Sequence, residues 1–107
     1  MNLEVRPFQS NHEGALIDEL QRAREWAAGA LINVGALTHY SYALHDALVD
    51  FGRPTIEVHL SAVSRREEWR RVSVIRPACV DQVEGLGASG CRLALEKLAA
   101  RLRAIDR

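Results

Sequence analysis

The stretch from Thr55 to Leu60, TIEVHL, constrains the fold more than any other part of the chain. Side chains alternate along a strand, so Glu57 and His59 share one face while the opposite face is apolar. Helical patterns flank the stretch, which predicts an inner strand of a parallel sheet, and such strands are normally apolar on both faces. Burying a carboxylate and an imidazole unpaired is costly, so we expect them to pair with each other or with a ligand. Two interpretations remain open at this point: a pair satisfied inside the core, or part of a functional site.

Composition limits the class of protein. The 107 residues are 48% apolar and 26% charged with a formal net charge of zero, which is typical of one small soluble domain spanning 1–107. Nothing in the charge indicates a nucleic acid or a membrane surface as partner. Cys79 and Cys91 fit no metal or redox spacing. With no apolar run of membrane-spanning length and no signal pattern, we expect a soluble cytoplasmic protein with reduced thiols.

The hydrophobic pattern predicts four strands alternating with four helices. Strands are predicted at Leu3–Phe8, Ala30–Asn33, Thr55–Leu60 and Ala78–Val83. The first two predicted helices run from a cap at Ser10 or Asn11 to Gly29, and over Ser41–Phe51. The third runs from a Ser64–Glu67 capping box to Arg71, and the fourth from a Ser89 cap through Ile105. This order is typical of an α/β fold with a parallel sheet covered by helices on both faces. Ligands of such folds bind at the carboxyl ends of the strands.

Five polar residues fall at or just beyond those ends: His12, Asn33, His39, His59 and Ser61. So many polar groups on one rim favour a functional cleft over a satisfied core pair. The sequence has no Gly-x-Ser-x-Gly elbow, and no two histidines lie four residues apart on a helix, which disfavours serine hydrolysis and zinc. The glycines of GLGASG, residues 85–90, are a poor dinucleotide fingerprint because they follow the last strand.

Proton transfer is the chemistry that remains. Glu57 lies on the same face as His59, fixes its tautomer and favours an imidazolium that donates a proton. Arg70 is placed to reach a hydroxyl or an anion. Ser61 and nearby backbone donors are placed to hold a carboxylate. The residues predict acid catalysis on a small, anionic, hydroxylated substrate.

Several motifs in order resemble those of type II 3-dehydroquinate dehydratase. They are QSNHEG at 9–14, IN-x-GA-x-TH-x-S at 32–41, EVHLS at 57–61, REE-x-R at 66–70 and GLGASG at 85–90. The resemblance covers nearly the whole chain and implies a flavodoxin-like, three-layer fold whose trimers assemble into a dodecamer. It also implies conversion of 3-dehydroquinate to 3-dehydroshikimate in the shikimate or quinate pathway, through an enolate and without metal or cofactor.

The resemblance assigns roles to individual residues. His59 is implied as the general acid that protonates the departing hydroxyl, with Glu57 behind it. The implied substrate-binding residues are Asn33 and His39 for hydroxyls, Leu60 and Ser61 for the carboxylate, Arg70 for a ring hydroxyl, and Asp46 for the site of a neighbouring subunit.

The family's first strand and the lid loop after it have no counterpart in this sequence. In the family they supply an Asn, an Arg and the Tyr base, and nothing in the sequence shows that Tyr40 or Tyr42 replaces that base. The strand is central in the family, between the counterparts of Leu3–Phe8 and Ala30–Asn33. We therefore expect those two strands to pair directly, another chain to fill the gap, or the protein to be longer than this sequence. Two functions stay open: an active dehydratase, or a catalytically impaired relative that serves as a binding or structural subunit.

Overall fold

The computed structural model describes residues 3–105 and contains a parallel sheet of three strands. The strands are β1 (Ala30–Ile32), β2 (Thr55–His59) and β3 (Asp81–Glu84), and the helices are α1 (Glu13–Ala23), α2 (Tyr42–Phe51) and α3 (Ser89–Ile105). Short 3₁₀ turns cover Gly35–His39, Val63–Arg65, Glu68–Arg71 and Arg76–Ala78. No helix within the described range is long and apolar enough to cross a membrane.

β2 is the central strand, as predicted. It pairs in parallel with β1, where Leu31 lies opposite Ile56, and with β3, where Val58 lies opposite Val83. All five of its residues are buried. The polar face that includes Glu57 is therefore enclosed by protein rather than open to water.

Helices cover the sheet on both faces, which confirms the predicted three-layer arrangement. On one face α1 and α2 pack through Leu20, Leu44, Leu48 and Phe51, with Ile75 beneath them. On the other face α3 packs through Ala94 and Leu98 against Ile56, Val58 and Val83. Removing each large aliphatic side chain from water stabilises the fold by about 1.5–3 kcal/mol.

The predicted strand at Leu3–Phe8 is wrong. Residues 3–8 pair with no strand in the described chain, and Leu3, Val5 and Phe8 are 41%, 61% and 46% exposed. Alternating side chains produce a strand only where a neighbouring backbone pairs with it. Together with β1, the segment borders an apolar groove of about 550 Å³, so the direct pairing of the two segments does not form.

Two helix boundaries also differ from the prediction. α1 ends at Ala23, and Gly29 is not its cap. A Cβ at Gly29 would lie 2.7 Å from the carbonyl oxygen of Pro54, so this glycine allows the chain to pass close to the start of β2. The first helix also lacks its predicted cap, because Ser10 Oγ accepts a bond from the His12 N–H at 3.0 Å and caps no helix.

The segment after β2 contains two 3₁₀ turns instead of the predicted helix. Ser64 does not form a capping box with Glu67, because its hydroxyl and its N–H both donate to the Glu84 carboxylate. Farther along, β3 begins three residues later than predicted, at Asp81. In α3, Ser89 is the first helical residue and donates its hydroxyl to the Leu86 carbonyl, while Ile105 is 63% exposed.

Candidate active site

The predicted site residues lie where β1 and β2 end. Asn33 directly follows β1, and the 3₁₀ turn that ends at His39 comes next in the chain. Leu60 and Ser61 directly follow β2 and are both exposed. Because parallel strands end at the same edge of the sheet, these side chains share one rim.

Two glycines after β3 hold the end of β2 in place. The Gly85 N–H donates to the His59 carbonyl at 3.2 Å, and the Gly87 N–H donates to the Leu60 carbonyl at 3.0 Å. Gly85 has a φ of +77°, and a Cβ there would meet the Ala62 side chain at 3.2 Å. The backbone of the GLGASG motif therefore fixes the carboxyl end of β2 through two hydrogen bonds.

Glu57 and His59 form a buried pair. Glu57 is 0% and His59 is 4% exposed, and Oε2 of the carboxylate bonds Nε2 of the imidazole. Because a carboxylate only accepts hydrogen bonds, Nε2 carries a proton that it donates to Glu57. The second ring nitrogen, Nδ1, takes no part in this bond. No described residue hydrogen-bonds Nδ1, so this nitrogen is the one available to a ligand.

Three more donors surround the Glu57 carboxylate. Thr38 Oγ1 donates to Oε2 at 2.9 Å, Ser73 Oγ donates to Oε1 at 2.9 Å, and Gln82 Nε2 donates to Oε2 at 3.3 Å. We call Thr38, Ser73 and Gln82 the Glu57 donor set. None of the three was predicted as a site residue, because they come from segments that only tertiary structure brings together. The sequence signal at Gln82 is limited to a polar side chain within the predicted Ala78–Val83 strand.

The pKa of Glu57 lies below its ordinary value. Burial alone raises the pKa of the carboxyl, since it penalises the charged form. The hydrogen bonds from His59, Ser73 and Thr38, together with the attraction of His59, outweigh that effect and lower the pKa. The carboxyl is therefore an anion at neutral pH in spite of its burial.

His39 lies beside the pair. Its ring is stacked on the His59 ring with centroids 6.4 Å apart and packs edge-on against Trp69 at 5.2 Å. Nδ1 donates to the Val72 carbonyl at 2.6 Å, which leaves Nε2 as an acceptor when the ring is neutral. His39 can thus accept a hydrogen bond from a ligand hydroxyl at the rim.

The other predicted residues are less tightly held. Asn33 is exposed, and its Oδ1 accepts the Gly35 N–H at 3.2 Å. Its amide N–H groups donate to no residue of the described chain and can donate to a ligand. Arg70 bonds Glu67 and stacks over the Trp69 ring at 4.1 Å. Asp46 lies on α2 with 85% of its side chain exposed and contacts His45. The structure brings Asp46 into contact with no other predicted site residue in the described chain.

Fold and site together define a parallel α/β domain with a buried carboxylate–imidazole pair at the strand ends, an arrangement suited to acid–base chemistry. Residues 1–99 match the family model described as "Dehydroquinase class II". The 3-dehydroquinate dehydratase of Dictyoglomus turgidum is 53% identical over 96 residues, which cover 90% of this chain and 66% of that relative. This chain belongs to the class II dehydroquinase family.

Other comparisons agree. The 3-dehydroquinate dehydratase of Bacillus pumilus is 47% identical over 98% of this chain and 71% of its own length. The crystal structure of a type II dehydroquinase from Butyrivibrio crossotus has a TM-score of 0.89 and 48% identity, covering 92% of this chain and 69% of that one. The predicted family and flavodoxin-like fold are confirmed. The chain spans about two thirds of the length of these relatives.

Proposed function

We propose that this protein is a 3-dehydroquinate dehydratase with His59 as its general acid. The observation that carries the proposal is the buried Glu57–His59 pair, in which Nδ1 of the imidazole is left available at the ends of the parallel strands. Membership in a family whose relatives are named 3-dehydroquinate dehydratase supports the substrate. The expected reaction is a step of the shikimate or quinate pathway.

The proposed reaction eliminates water. A base removes a proton from the carbon next to the ketone, and the electrons form an enolate. The enolate then expels the hydroxyl, which takes a proton from His59 and leaves as water. Glu57 stabilises the imidazolium before the transfer and keeps the ring oriented after it.

The rest of the rim suits the substrate's other groups. In our proposal the Ser61 hydroxyl and the exposed backbone at Leu60 bind the carboxylate. The amide of Asn33 and Nε2 of His39 bind hydroxyls. Arg70 binds a ring hydroxyl once its side chain exchanges Glu67 for the ligand.

The reaction also requires a base besides His59. Tyr40 and Tyr42 are 62% and 69% exposed, and neither contacts His59 by a hydrogen bond or a ring contact in the described chain. We propose that the base is supplied by a residue outside the described contacts of His59. The exposed Asp46 fits a role at the site of a neighbouring subunit, in a homo-oligomer such as a trimer or dodecamer. Sedimentation equilibrium that finds only monomer would contradict this assembly.

A binding or structural role is the second candidate. It is favoured by the surroundings of His59, because no tyrosine hydrogen-bonds or stacks on its ring among the described residues. Under this alternative the rim binds the anionic substrate without turning it over.

The deciding assay follows the ultraviolet absorbance of the conjugated product formed from 3-dehydroquinate. We compare the wild type with His59→Ala and with the control Arg92→Ala, which removes an exposed side chain on α3 that bonds Glu96 in the described chain. Loss of general acid catalysis is expected to reduce kcat by about 10²- to 10⁴-fold in His59→Ala, with little change in the control. Equal absence of turnover in wild type and His59→Ala would refute the dehydratase and favour the binding role.

A further inference from the structure

Among the described residues no lysine or arginine forms an ion pair with the buried Glu57. Apart from His59, the groups that stabilise its anion are uncharged donors. Each carboxylate oxygen accepts at least one of them: Oε1 from Ser73, and Oε2 from Thr38 and Gln82 in addition to His59. The donor set comes from a 3₁₀ turn, from a loop and from β3, respectively. Three separate segments thus converge on one carboxylate.

The backbone fixes two of these donors. The Arg76 N–H donates to Ser73 Oγ at 3.0 Å, so the serine oxygen already accepts one bond and its single proton is available to Glu57 at 2.9 Å. The Thr38 carbonyl accepts the Val74 N–H at 2.8 Å, which ties the threonine to the loop that carries the serine. The two hydroxyl oxygens also lie 3.3 Å apart, where either could donate to the other. Both lie closer to the carboxylate, at 2.9 Å, so the geometry favours donation to Glu57.

Protonation of Glu57 would place a hydrogen where one of these donors already points. An acceptor-only carboxylate satisfies the whole donor set, while a carboxylic acid loses at least one bond. We propose that the Glu57 donor set consists of positioning residues for the dehydratase reaction, which hold Glu57 as an anion directed at Nε2 of His59. His59 then keeps the proton that it gives to the departing hydroxyl. The inference rests on the proposed function and assigns roles to residues outside the predicted site.

The other titratable groups near Glu57 are Cys79, Arg76 and His39. Cys79 is buried near enough to Glu57 to sense its charge, and burial together with that charge raises the pKa of its thiol to about 12. Arg76 lies close enough to Cys79 to act in the opposite sense, but more weakly. His39 stacks against the ring of His59. The thiol stays neutral at physiological pH, and the lowered pKa of Glu57 agrees with an anion held by hydrogen bonds.

The test removes single donors while preserving shape. Thr38→Val and Ser73→Ala delete a hydroxyl each, and Thr38→Ser restores the donor with a smaller side chain. The matched control is Thr55→Val, which deletes a fully buried hydroxyl on β2 that donates to the Arg53 carbonyl at 3.1 Å and not to Glu57. If Thr38→Val fails to fold, Ser73→Ala carries the test, because Ser73 is only partly buried.

Two readouts are measured on each variant. The first is the titration of the Glu57 carboxyl by ¹³C NMR, which we expect to shift to higher pH in Thr38→Val and Ser73→Ala and to stay at the wild-type position in Thr38→Ser and Thr55→Val. The second is the pH profile of kcat and KM with 3-dehydroquinate. We expect kcat at neutral pH to fall about tenfold with KM nearly unchanged, the size of one lost hydrogen bond to a charged group.

The outcomes separate the inference from the proposed function. An unchanged Glu57 titration in both donor deletions overturns the inference, whether or not the protein turns over substrate. An equal fall of kcat in Thr55→Val also overturns it, since the effect would then be a general loss of core stability. An inactive wild type whose Glu57 titration shifts in the deletions refutes the dehydratase and with it any role in that reaction, but retains the donor set as the groups that hold the Glu57 anion.

Discussion

Glu57→Gln tests whether the buried anion stabilises the fold. The substitution keeps the shape of the side chain but replaces one acceptor oxygen by an N–H₂ group, which then faces donors such as Thr38 and Ser73. A hydrogen bond to a charged group contributes about 1.5–3 kcal/mol, and breaking a buried ion pair costs about 3–5 kcal/mol. We expect Glu57→Gln to lower the free energy of unfolding by about 3–5 kcal/mol at pH 7.

The pH dependence gives a sharper result. The folded-state pKa of Glu57 lies below the ordinary value of 4.5, so its contribution is fully present above pH 4.5 and is lost as the pH falls through the folded-state pKa. Urea unfolding of both proteins, extrapolated linearly to water, measures the difference at each pH. The gap between wild type and Glu57→Gln should stay constant from pH 7 to about 5 and narrow below 4.5.

A surface carboxylate provides the control. Glu96→Gln removes an exposed partner of Arg92 on α3 and should change the free energy of unfolding by less than about 0.5 kcal/mol at any pH. Equal stability of Glu57→Gln and wild type at pH 7 would show that the donor set does not favour the anion. A gap that remains at full size under acid conditions would mean that packing, and not charge, causes the loss.

Two further predictions concern groups outside the pair. Cys79 is buried with its pKa raised to about 12, whereas Cys91 is exposed. When native protein is treated with iodoacetamide at pH 8, we expect peptide mass spectrometry to find alkylation at Cys91 alone. Rapid modification of Cys79 would contradict its burial. Gly85→Ala places a side chain against Ala62 on a backbone with φ +77°, so it should lower Tm and reduce the free energy of unfolding by about 1–2 kcal/mol. The control is Gly14→Ala in α1, where the added Cβ meets nothing within 4 Å and the protein should not be destabilised.

The sequence was sufficient to predict the central strand and its polar face. One apolar face and helical neighbours identify β2 as an inner strand, and the two-residue period puts Glu57 and His59 on the same face. α2 was equally readable, since Ser41 accepts the Leu44 N–H at 3.0 Å as its cap and Gly52 ends the helix at φ 70°. In both elements the determining signals are local, which is why pattern and structure agree.

The failures arise where partners at a distance decide the structure. Residues 3–8 have the alternation of a strand but pair with no strand in the described chain. Ser64 and Glu67 have the spacing of a capping box, yet Ser64 binds Glu84, which is twenty residues away. A sequence motif cannot reveal that a stronger acceptor from β3 will compete for the same hydroxyl.

Partners from distant segments also allow this inner strand of a parallel sheet to accommodate a carboxylate. Glu57 has no local partner other than His59, and its neighbours Ile56 and Val58 point to the opposite, apolar core. Its remaining hydrogen bonds come from the donor set, whose members are 16 to 25 residues away in sequence. The polar face of β2 can therefore be buried only when the three segments are folded around it. If the donor set holds the Glu57 anion, the group that orients the general acid is completed by tertiary folding, and substitutions in those segments should alter catalysis without touching the substrate.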